Sequence, residues 1–207
     1  MAKKTLKYLV AVAVVIFLAI NSVYFKKLNE VKASAIKQFN ATAYARIYID
    51  QQLLLAASKA PETDQLLTLL KDKPDSAFKS YSHTLDIGNI RFFMTAGQGS
   101  VTSIDDNNVY LLTPNKQTIK IATEYIFGNA LRDAPGIISI NDFTNTMDLN
   151  NVSAEINKIV RNKVIPPFKG KIKKGSNVAF AGAFELNQQH INLNNIEIIP
   201  VSLKITN

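Results

Sequence analysis

An uncharged apolar segment lies close to the N terminus of this chain and limits the structures that the chain can form. Residues 8–25 carry no formal charge, and they are most apolar between Leu9 and Ile20. A helix of this length extends roughly 27 Å, close to the ~30 Å hydrocarbon core of a bilayer. Little else in the chain is apolar enough to surround such a helix in a protein core. We therefore expect residues 8–25 to form a transmembrane helix.

The residues around this segment are typical of an export signal. Three lysines precede it: Lys3, Lys4 and Lys7. Cleavage needs small residues at the −3 and −1 positions, and Ala19 with Asn21 fits that requirement poorly. We therefore expect an uncleaved signal anchor, with cleavage left open. Lysines also follow the segment, so the positive-inside comparison nearly cancels and leaves the orientation open.

Composition excludes several classes of function. The net charge is +8, but the three N-terminal lysines contribute much of it and the rest is dispersed, so we expect no nucleic-acid partner. The absence of cysteine excludes disulfides, thiolate metal sites, cysteine nucleophiles and a lipidated cysteine. His83 and His190 lie in unrelated contexts, which argues against a metal site. No nucleophile elbow, phosphate loop or dinucleotide fingerprint is present, so we predict no enzymatic activity and no cofactor.

The pattern after the anchor predicts a helical third of the chain. Residues 26–38 have helical spacing and are expected to form a helical linker. Asn40 is a candidate helix cap, and Pro61 is expected to end the helix that it opens. A leucine-rich helix and a helix opened by Pro74 are predicted to follow, so that residues 39–82 are helical.

From residue 83 onward the pattern predicts mainly β-structure. Short runs rich in β-branched and aromatic residues are separated by turns, and an amphipathic helix is expected over residues 150–164, stopped by Pro166-Pro167. The predicted strands are 90–96, 100–105, 109–113, 118–123, 177–186 and 196–205. Segregated helices and strands indicate an α+β fold. We predict a small, partly open antiparallel barrel of the OB type with one inserted helix, within a single soluble domain at residues 39–207.

The densest polar stretch, residues 128–145, is the candidate binding site. Its candidate ligand-binding residues are Arg132, Asp133, Asn141, Asp142, Thr144 and Asn145. An arginine held by an aspartate can bind a carboxylate or phosphate in bidentate fashion, and the amides and hydroxyl can bond sugar hydroxyls or peptide groups. A structural alternative is equally concrete, because Arg–Asp pairs lock loops and Ser, Asn and Asp cap helices. The sequence leaves both readings open.

Several motifs resemble one bacterial family. They are Phe39-Asn40-Ala41-Thr42-Ala43-Tyr44, Ala130-Leu131-Arg132-Asp133, Asn141-Asp142-Phe143-Thr144-Asn145, Gly182-Ala183-Phe184 and Ile199-Pro200-Val201. In this order, over residues 39–205, they resemble domain of unknown function 2291, the predicted periplasmic lipoproteins. The chain departs from the family in three places. It lacks the lipidated cysteine, it has Thr123-Glu124 in place of a Gly-Pro pair, and Phe127 replaces an arginine, which argues against an anion site there.

The resemblance implies a periplasmic, membrane-tethered domain with no assigned enzymatic activity. Family genes often lie beside genes for sugar-type ABC transporters, which suggests an accessory role, although this association transfers no mechanism. We expect an inner-membrane protein with a single N-terminal anchor and a domain in the periplasm or outside the cell. Its partners would be ABC transporter components, other envelope proteins or a small molecule. The alternatives are a structural or assembly protein of the envelope and, less favoured, an uncatalogued hydrolase.

Overall fold

The computed structural model describes residues 2–22 and 39–206 of the chain. Residues 40–207 form one compact unit, and the residues before them belong to a second unit. The described part of that second unit includes helix α1, Ala2–Ser22.

Helix α1 differs from the predicted transmembrane segment in its bounds. It includes the three N-terminal lysines at its beginning and ends at Ser22, so its uncharged part is shorter than residues 8–25. Its large apolar side chains, such as Leu9 and Phe17, are exposed. Among the residues that the structure describes, we find no helix with both the length and the apolar character needed to cross a membrane. Residues 23–25 of the predicted span and the predicted linker at 26–38 lie outside the described residues.

The compact unit begins with a helical arm, as predicted. Its elements are α2 (Ala41–Tyr48), a π-helical turn (Ile49–Leu53), α3 (Leu54–Ser58), α4 (Thr63–Asp72) and α5 (Pro74–Tyr81). The side chain of Asn40 caps α2 by accepting from the Ala43 amide at 2.9 Å. Pro74 occupies the first position of α5, where its missing N–H has no helical partner to lose.

In the part of the chain that the structure describes, six strands form one sheet. They are β1 (Ser82–His83), β2 (Ile90–Ile104), β3 (Asn108–Leu112), β4 (Thr118–Ala122), β5 (Asn177–Asn187) and β6 (Glu197–Thr206). The strand order is β1-β2-β3-β4-β6-β5, and β2 also pairs with β5. This last pairing closes a five-stranded barrel, so the prediction of a partly open barrel was wrong. The barrel is also mixed, because β4 and β6 are parallel.

Strand β2 corrects a second prediction. Residues 90–96 and 100–105 were expected to be two strands joined by a turn at Gly97-Gln98-Gly99, but they belong to one strand that pairs with β5 from Ile90 to Ser100. The glycines serve close packing here. A Cβ on Gly97 would lie 2.7 Å from Thr63 Oγ1, and one on Gly99 would lie 2.9 Å from the Leu112 carbonyl oxygen. Glycine is therefore needed at these positions because neighbouring atoms approach the backbone closely. From the sequence alone, such a glycine cannot be distinguished from a glycine in a turn.

The connection from β4 to β5 contains several helices. They are α6 (Ala130–Asp133), a 3₁₀ turn (Ile140–Asp142), α7 (Thr146–Ile159), a π-helical turn (Val160–Val164) and α8 (Ile165–Lys169). Helix α7 starts before the predicted residue 150 because Asn145 caps it, accepting from the Asp148 amide at 2.8 Å. Pro166 and Pro167 do not stop the helical run. They lie in the first turn of α8, where proline is tolerated.

The barrel interior and the helical arm share one apolar core. The rings of Phe93 and Phe184 stack with their centroids 5.3 Å apart, and Phe78 from α5 meets Phe93 edge-on at 5.1 Å. Leu66, Leu67 and Leu70 of α4 are buried in the same cluster. The arm therefore packs on the barrel as part of the core.

Candidate functional site

The predicted pair Arg132 and Asp133 is buried at the end of α6. Arg132 is 1% exposed and Asp133 is 2% exposed. Arg132 Nε lies 2.5 Å from Asp133 Oδ1, and Arg132 Nη2 donates to Asp133 Oδ2 at 3.0 Å. The bidentate geometry expected for a ligand carboxylate is thus made with the neighbouring side chain.

Tyr48 ties this pair to the helical arm. Its hydroxyl donates to the carbonyl oxygens of Leu131, at 3.2 Å, and Arg132, at 3.0 Å. Burial, followed by the Asp133 carboxylate, raises the pKa of the Tyr48 hydroxyl above its ordinary value of 10.0. Arg132 Nη1 is buried and has no hydrogen-bond partner in the structure.

The other predicted residues lie at the surface, whereas this pair is buried. Asp142 and Ser139 form a capping box in which Asp142 Oδ2 accepts from the Ser139 amide at 2.9 Å. Asn141 donates its amide to Ser139 Oγ at 3.3 Å, Asn145 caps α7, and Thr144 is exposed. Burial therefore divides the six residues into two groups. Their binding role stays a prediction, while the side chains of Arg132, Asp133, Asp142 and Asn145 have structural partners.

A cleft of about 540 Å³ opens where β5 and β6 separate. The two strands pair as far as Ala183 and Ile199, beyond which β5 remains paired with β2 and β6 with β4. The cleft is lined by Ile90, Tyr125, Phe127, Gly128, Ala130, Phe184, Glu185, Leu186, Asn187, His190, Asn192, Asn195, Glu197 and Ile199. Strand ends, the loop between β5 and β6 and the segment after β4 thus meet around it.

Two exposed aromatic rings form one wall. Tyr125 is 60% exposed and Phe127 is 63% exposed, and their ring centroids are 6.3 Å apart in a stacked arrangement. Arg161 from the π-helical turn after α7 lies over the Phe127 ring, 5.4 Å from its centroid, and donates to the Ile126 carbonyl oxygen. The chain therefore holds apolar rings at the surface of a cleft, where a ligand can cover them.

The opposite wall is polar. Glu185 and Glu197 bring two exposed carboxylates, and the loop between β5 and β6 adds amides and His190. The loop is ordered by its own amide side chains. Asn187 Oδ1 accepts from the Gln189 amide at 2.9 Å, and Asn195 Oδ1 accepts from Lys120 Nζ. The lining thus combines apolar rings with carboxylates and amides, a composition typical of binding pockets for polar organic ligands.

Helix α6 connects the predicted stretch to this cleft. Ala130 and Gly128 line the cleft, whereas Arg132 and Asp133 in the next turn are buried beside it. The amide of Asn157 on α7 donates to the Gly128 carbonyl oxygen at 2.9 Å. We infer that the Arg132–Asp133 pair positions the cleft wall through α6.

Sequence reasoning missed most of the cleft. It considered His190 only as a metal ligand and argued against that role, and it gave no role to Tyr125, Glu185 or Glu197. Glu185, His190 and Glu197 come together because β5 and β6 form an antiparallel hairpin, and Tyr125 reaches them because β4 pairs with β6 in parallel. An available signal was the pair of aromatic residues at 125 and 127 directly before Gly128, in a segment with no strand pattern.

A second, shallower hollow of about 570 Å³ lies beside the start of α4. It also contains carboxylates, but both have structural partners. Glu62 Oε2 accepts from the Gln65 amide at 3.0 Å, and buried Asp64 accepts from Thr113 Oγ1 at 2.5 Å and from the Asn115 amide at 2.9 Å. Asp64 thus anchors the turn between β3 and β4 to α4, and this hollow is a weaker candidate than the β5–β6 cleft.

Comparison with known proteins agrees with the fold. No curated protein matches the chain. Among solved structures, it is similar to a crystal structure of an OB-fold protein from Thermotoga maritima, with 28% sequence identity and a TM-score of 0.71. The similarity covers 82% of this chain and 100% of that protein, which agrees with the predicted OB type.

A family model described as "Predicted periplasmic lipoprotein (DUF2291)" matches residues 13–204. This match confirms the family resemblance drawn from the motifs between Phe39 and Ile205. The chain therefore belongs to the DUF2291 family of predicted periplasmic lipoproteins.

Proposed function

We propose that this domain is a non-enzymatic accessory protein of the cell envelope, which binds a ligand or partner in the β5–β6 cleft. The observation that carries the proposal is the exposed aromatic pair Tyr125 and Phe127, which lines the same cleft as Glu185 and Glu197. Exposed rings are covered favourably by a partner, and carboxylates and amides orient what binds.

Binding is favoured over catalysis by the chemistry of the lining. Among the described residues that line the cleft, none is a serine, threonine or cysteine that could act as a nucleophile beside His190. A hydrolase would have to rely on Glu185 and Glu197, and both lie at the exposed rim.

Attachment to the membrane through the N-terminal segment is part of this proposal. Its support is the order of residues in α1, in which lysines precede a run of exposed apolar side chains. The test is fractionation of cells that produce the full chain, followed by a high-salt wash and a detergent wash. Release by detergent alone supports an apolar attachment, whereas release by salt contradicts it.

A role beside sugar-type ABC uptake is the most specific form of the proposal. Its support is the genomic association that the family resemblance implies, together with a cleft suited to a partner. The test is crosslinking of the tethered protein in cells followed by affinity purification. Recovery of a transporter subunit that depends on Tyr125 and Phe127 supports this role, and recovery of envelope-assembly factors alone contradicts it.

The structural alternative also has an observation in its favour. Arg132 and Asp133 form an ion pair with each other inside the domain, and Asp142 and Asn145 cap local structure. The conspicuous polar residues therefore stabilise the fold whether or not the cleft binds anything. The two functions predict different results for the double variant Tyr125→Ala with Phe127→Ala. If the protein is purely structural, cells that produce this variant should have a normal envelope phenotype.

A further inference from the structure

The cleft contains an interruption in the hydrogen bonding of the barrel. The last pairing between β5 and β6 joins Ala183 to Ile199, although β5 continues to Asn187 and β6 begins at Glu197. Among the strands that the structure describes, residues 184–187 pair with β2 alone, and residues 197–198 pair with β4 alone. Each of these strand ends therefore has one edge without a neighbouring strand.

The backbone of Glu185 points to this open edge. Gln188 donates its amide to the Asn89 carbonyl oxygen at 2.7 Å, next to the pairing of Ile90 with Asn187. In an antiparallel ladder, successive residues direct both backbone groups alternately to the two sides. Leu186 is thus bonded towards β2 like Gln188, and Glu185 and Asn187 face away from β2. The Asn187 carbonyl oxygen accordingly accepts from the His190 amide at 3.2 Å.

The backbone of Glu197 faces the same gap from the other side. Lys120 donates its amide to the Ile196 carbonyl oxygen at 2.9 Å, and Lys120 is the register partner of Glu197. In a parallel ladder such a residue bonds the two neighbours of its partner, so the partner itself points the other way. The N–H and C=O groups of Glu197 are therefore directed towards β5.

We propose that the cleft accepts an extended peptide segment of a partner protein, which pairs its backbone with the open edge of β5 at Glu185. The inference rests on the proposed function and specifies the kind of partner. An open strand edge with unpaired N–H and C=O groups is a template for strand addition. The aromatic wall at Tyr125 and Phe127 contacts an apolar side chain of the bound segment.

The carboxylates of the cleft lining favour a peptide segment with positively charged side chains. The exposed carboxylates of Glu185 and Glu197 line the cleft, and no lysine or arginine is among the described residues that line it. Lys120 and Arg161 lie beside it, where Lys120 donates to Asn195 Oδ1 and Arg161 donates to the Ile126 carbonyl oxygen. A segment with lysine or arginine alternating with apolar residues therefore fits both walls, because side chains of a strand alternate between its faces.

The test measures hydrogen–deuterium exchange of the full chain with a defined probe, the peptide acetyl-(Val-Lys)₃-amide at millimolar concentration. We expect the amide of Glu185 to exchange at least roughly tenfold more slowly with the peptide, because a backbone hydrogen bond forms there. The control peptide has the same sequence with N-methyl groups on alternate residues, which keep its charge and remove backbone donors. It should bind roughly tenfold more weakly.

Paired variants test the contribution of charge. Glu185→Gln with Glu197→Gln should weaken binding of the probe peptide several-fold, whereas Asp72→Asn with Asp75→Asn, on the helical arm, should not. No protection of the Glu185 amide, or equal binding of the N-methylated peptide, would overturn strand addition. Protection of the cleft by the neutral sugar maltose instead of the peptide would overturn it as well. If cleft-dependent capture of a partner in cells persists after any of these results, the proposed function stands and only the peptide inference fails.

Discussion

Arg132 holds the carboxylate of its own neighbour, Asp133, through two contacts of 2.5 and 3.0 Å, and both side chains are buried. This pair closes the turn of α6 next to the wall of the β5–β6 cleft. The most conspicuous charged motif of the sequence is therefore buried inside the fold.

Removing one member of the pair should destabilise the domain strongly. Arg132→Ala leaves the Asp133 carboxylate buried without a cation, and we expect a loss of about 3–5 kcal/mol in the free energy of unfolding, measured with urea. The double variant Arg132→Met with Asp133→Leu removes both charges at similar volume and should recover most of the loss. A loss below about 1 kcal/mol for Arg132→Ala would contradict the structural role of the pair.

Because the pKa of Tyr48 is raised, we expect the free energy of unfolding to fall at alkaline pH. Its raised pKa means that the folded state retains the hydroxyl proton when the unfolded state has lost it, so this contribution to stability is complete below the ordinary pKa of 10.0 and is lost as pH rises above it. Unfolding of the parent protein should therefore become easier above about pH 10 by up to about 1.4 kcal/mol per pH unit.

The variant Tyr48→Phe isolates this effect. It loses the two hydrogen bonds to α6 and should be about 1–2 kcal/mol less stable at pH 7. Its stability should fall less steeply than that of the parent between pH 10 and 11.5. Parallel pH profiles for the two proteins in urea titrations would show that Tyr48 is not the group responsible.

Gly182 should be intolerant of any side chain. It lies where the β5–β6 register shifts, and a Cβ there would lie 2.3 Å from the Ile199 carbonyl oxygen and 2.9 Å from Pro200 Cα. Because these obstacles are backbone atoms, Gly182→Ala should cost about 2 kcal/mol and widen the separation of β5 and β6.

The matched control is Gly170→Ala. The nearest atom to its Cβ is the Pro166 carbonyl oxygen at 3.5 Å, and the backbone at Gly170 is right-handed helical. This variant should change stability by less than about 1 kcal/mol, in the stabilising direction if at all. Equal thermal unfolding temperatures for the two variants would contradict the packing role of Gly182.

The local parts of the fold were predictable because their signals lie within a few residues. Asn40 and Pro74 opened helices where expected, since a cap and an N-terminal proline act on the following turn. The α+β class and the OB type followed from the order of these elements.

The incorrect or missing predictions concern contacts between residues that are far apart in the sequence. Gly97 and Gly99 were assigned to a turn because their packing partners, Thr63 and Leu112, are not visible in the local sequence. The cleft was missed for the same reason, since Tyr125 and Phe127 reach the β5–β6 hairpin only through the parallel pairing of β4 with β6. Arg132 was recognised as an important cation, but whether its partner is a ligand or Asp133 depended on burial.

Site-specific photo-crosslinking in cells tests whether a partner binds in the β5–β6 cleft. A photoreactive residue is placed at Asn192, which lines the cleft, and at exposed Met147 on α7 as the control position. We predict a discrete crosslinked partner from position 192 that is lost with Tyr125→Ala and Phe127→Ala and is absent from position 147. If the same partner is crosslinked from both positions, or if the crosslink at position 192 survives the aromatic substitutions, the cleft is not the binding site.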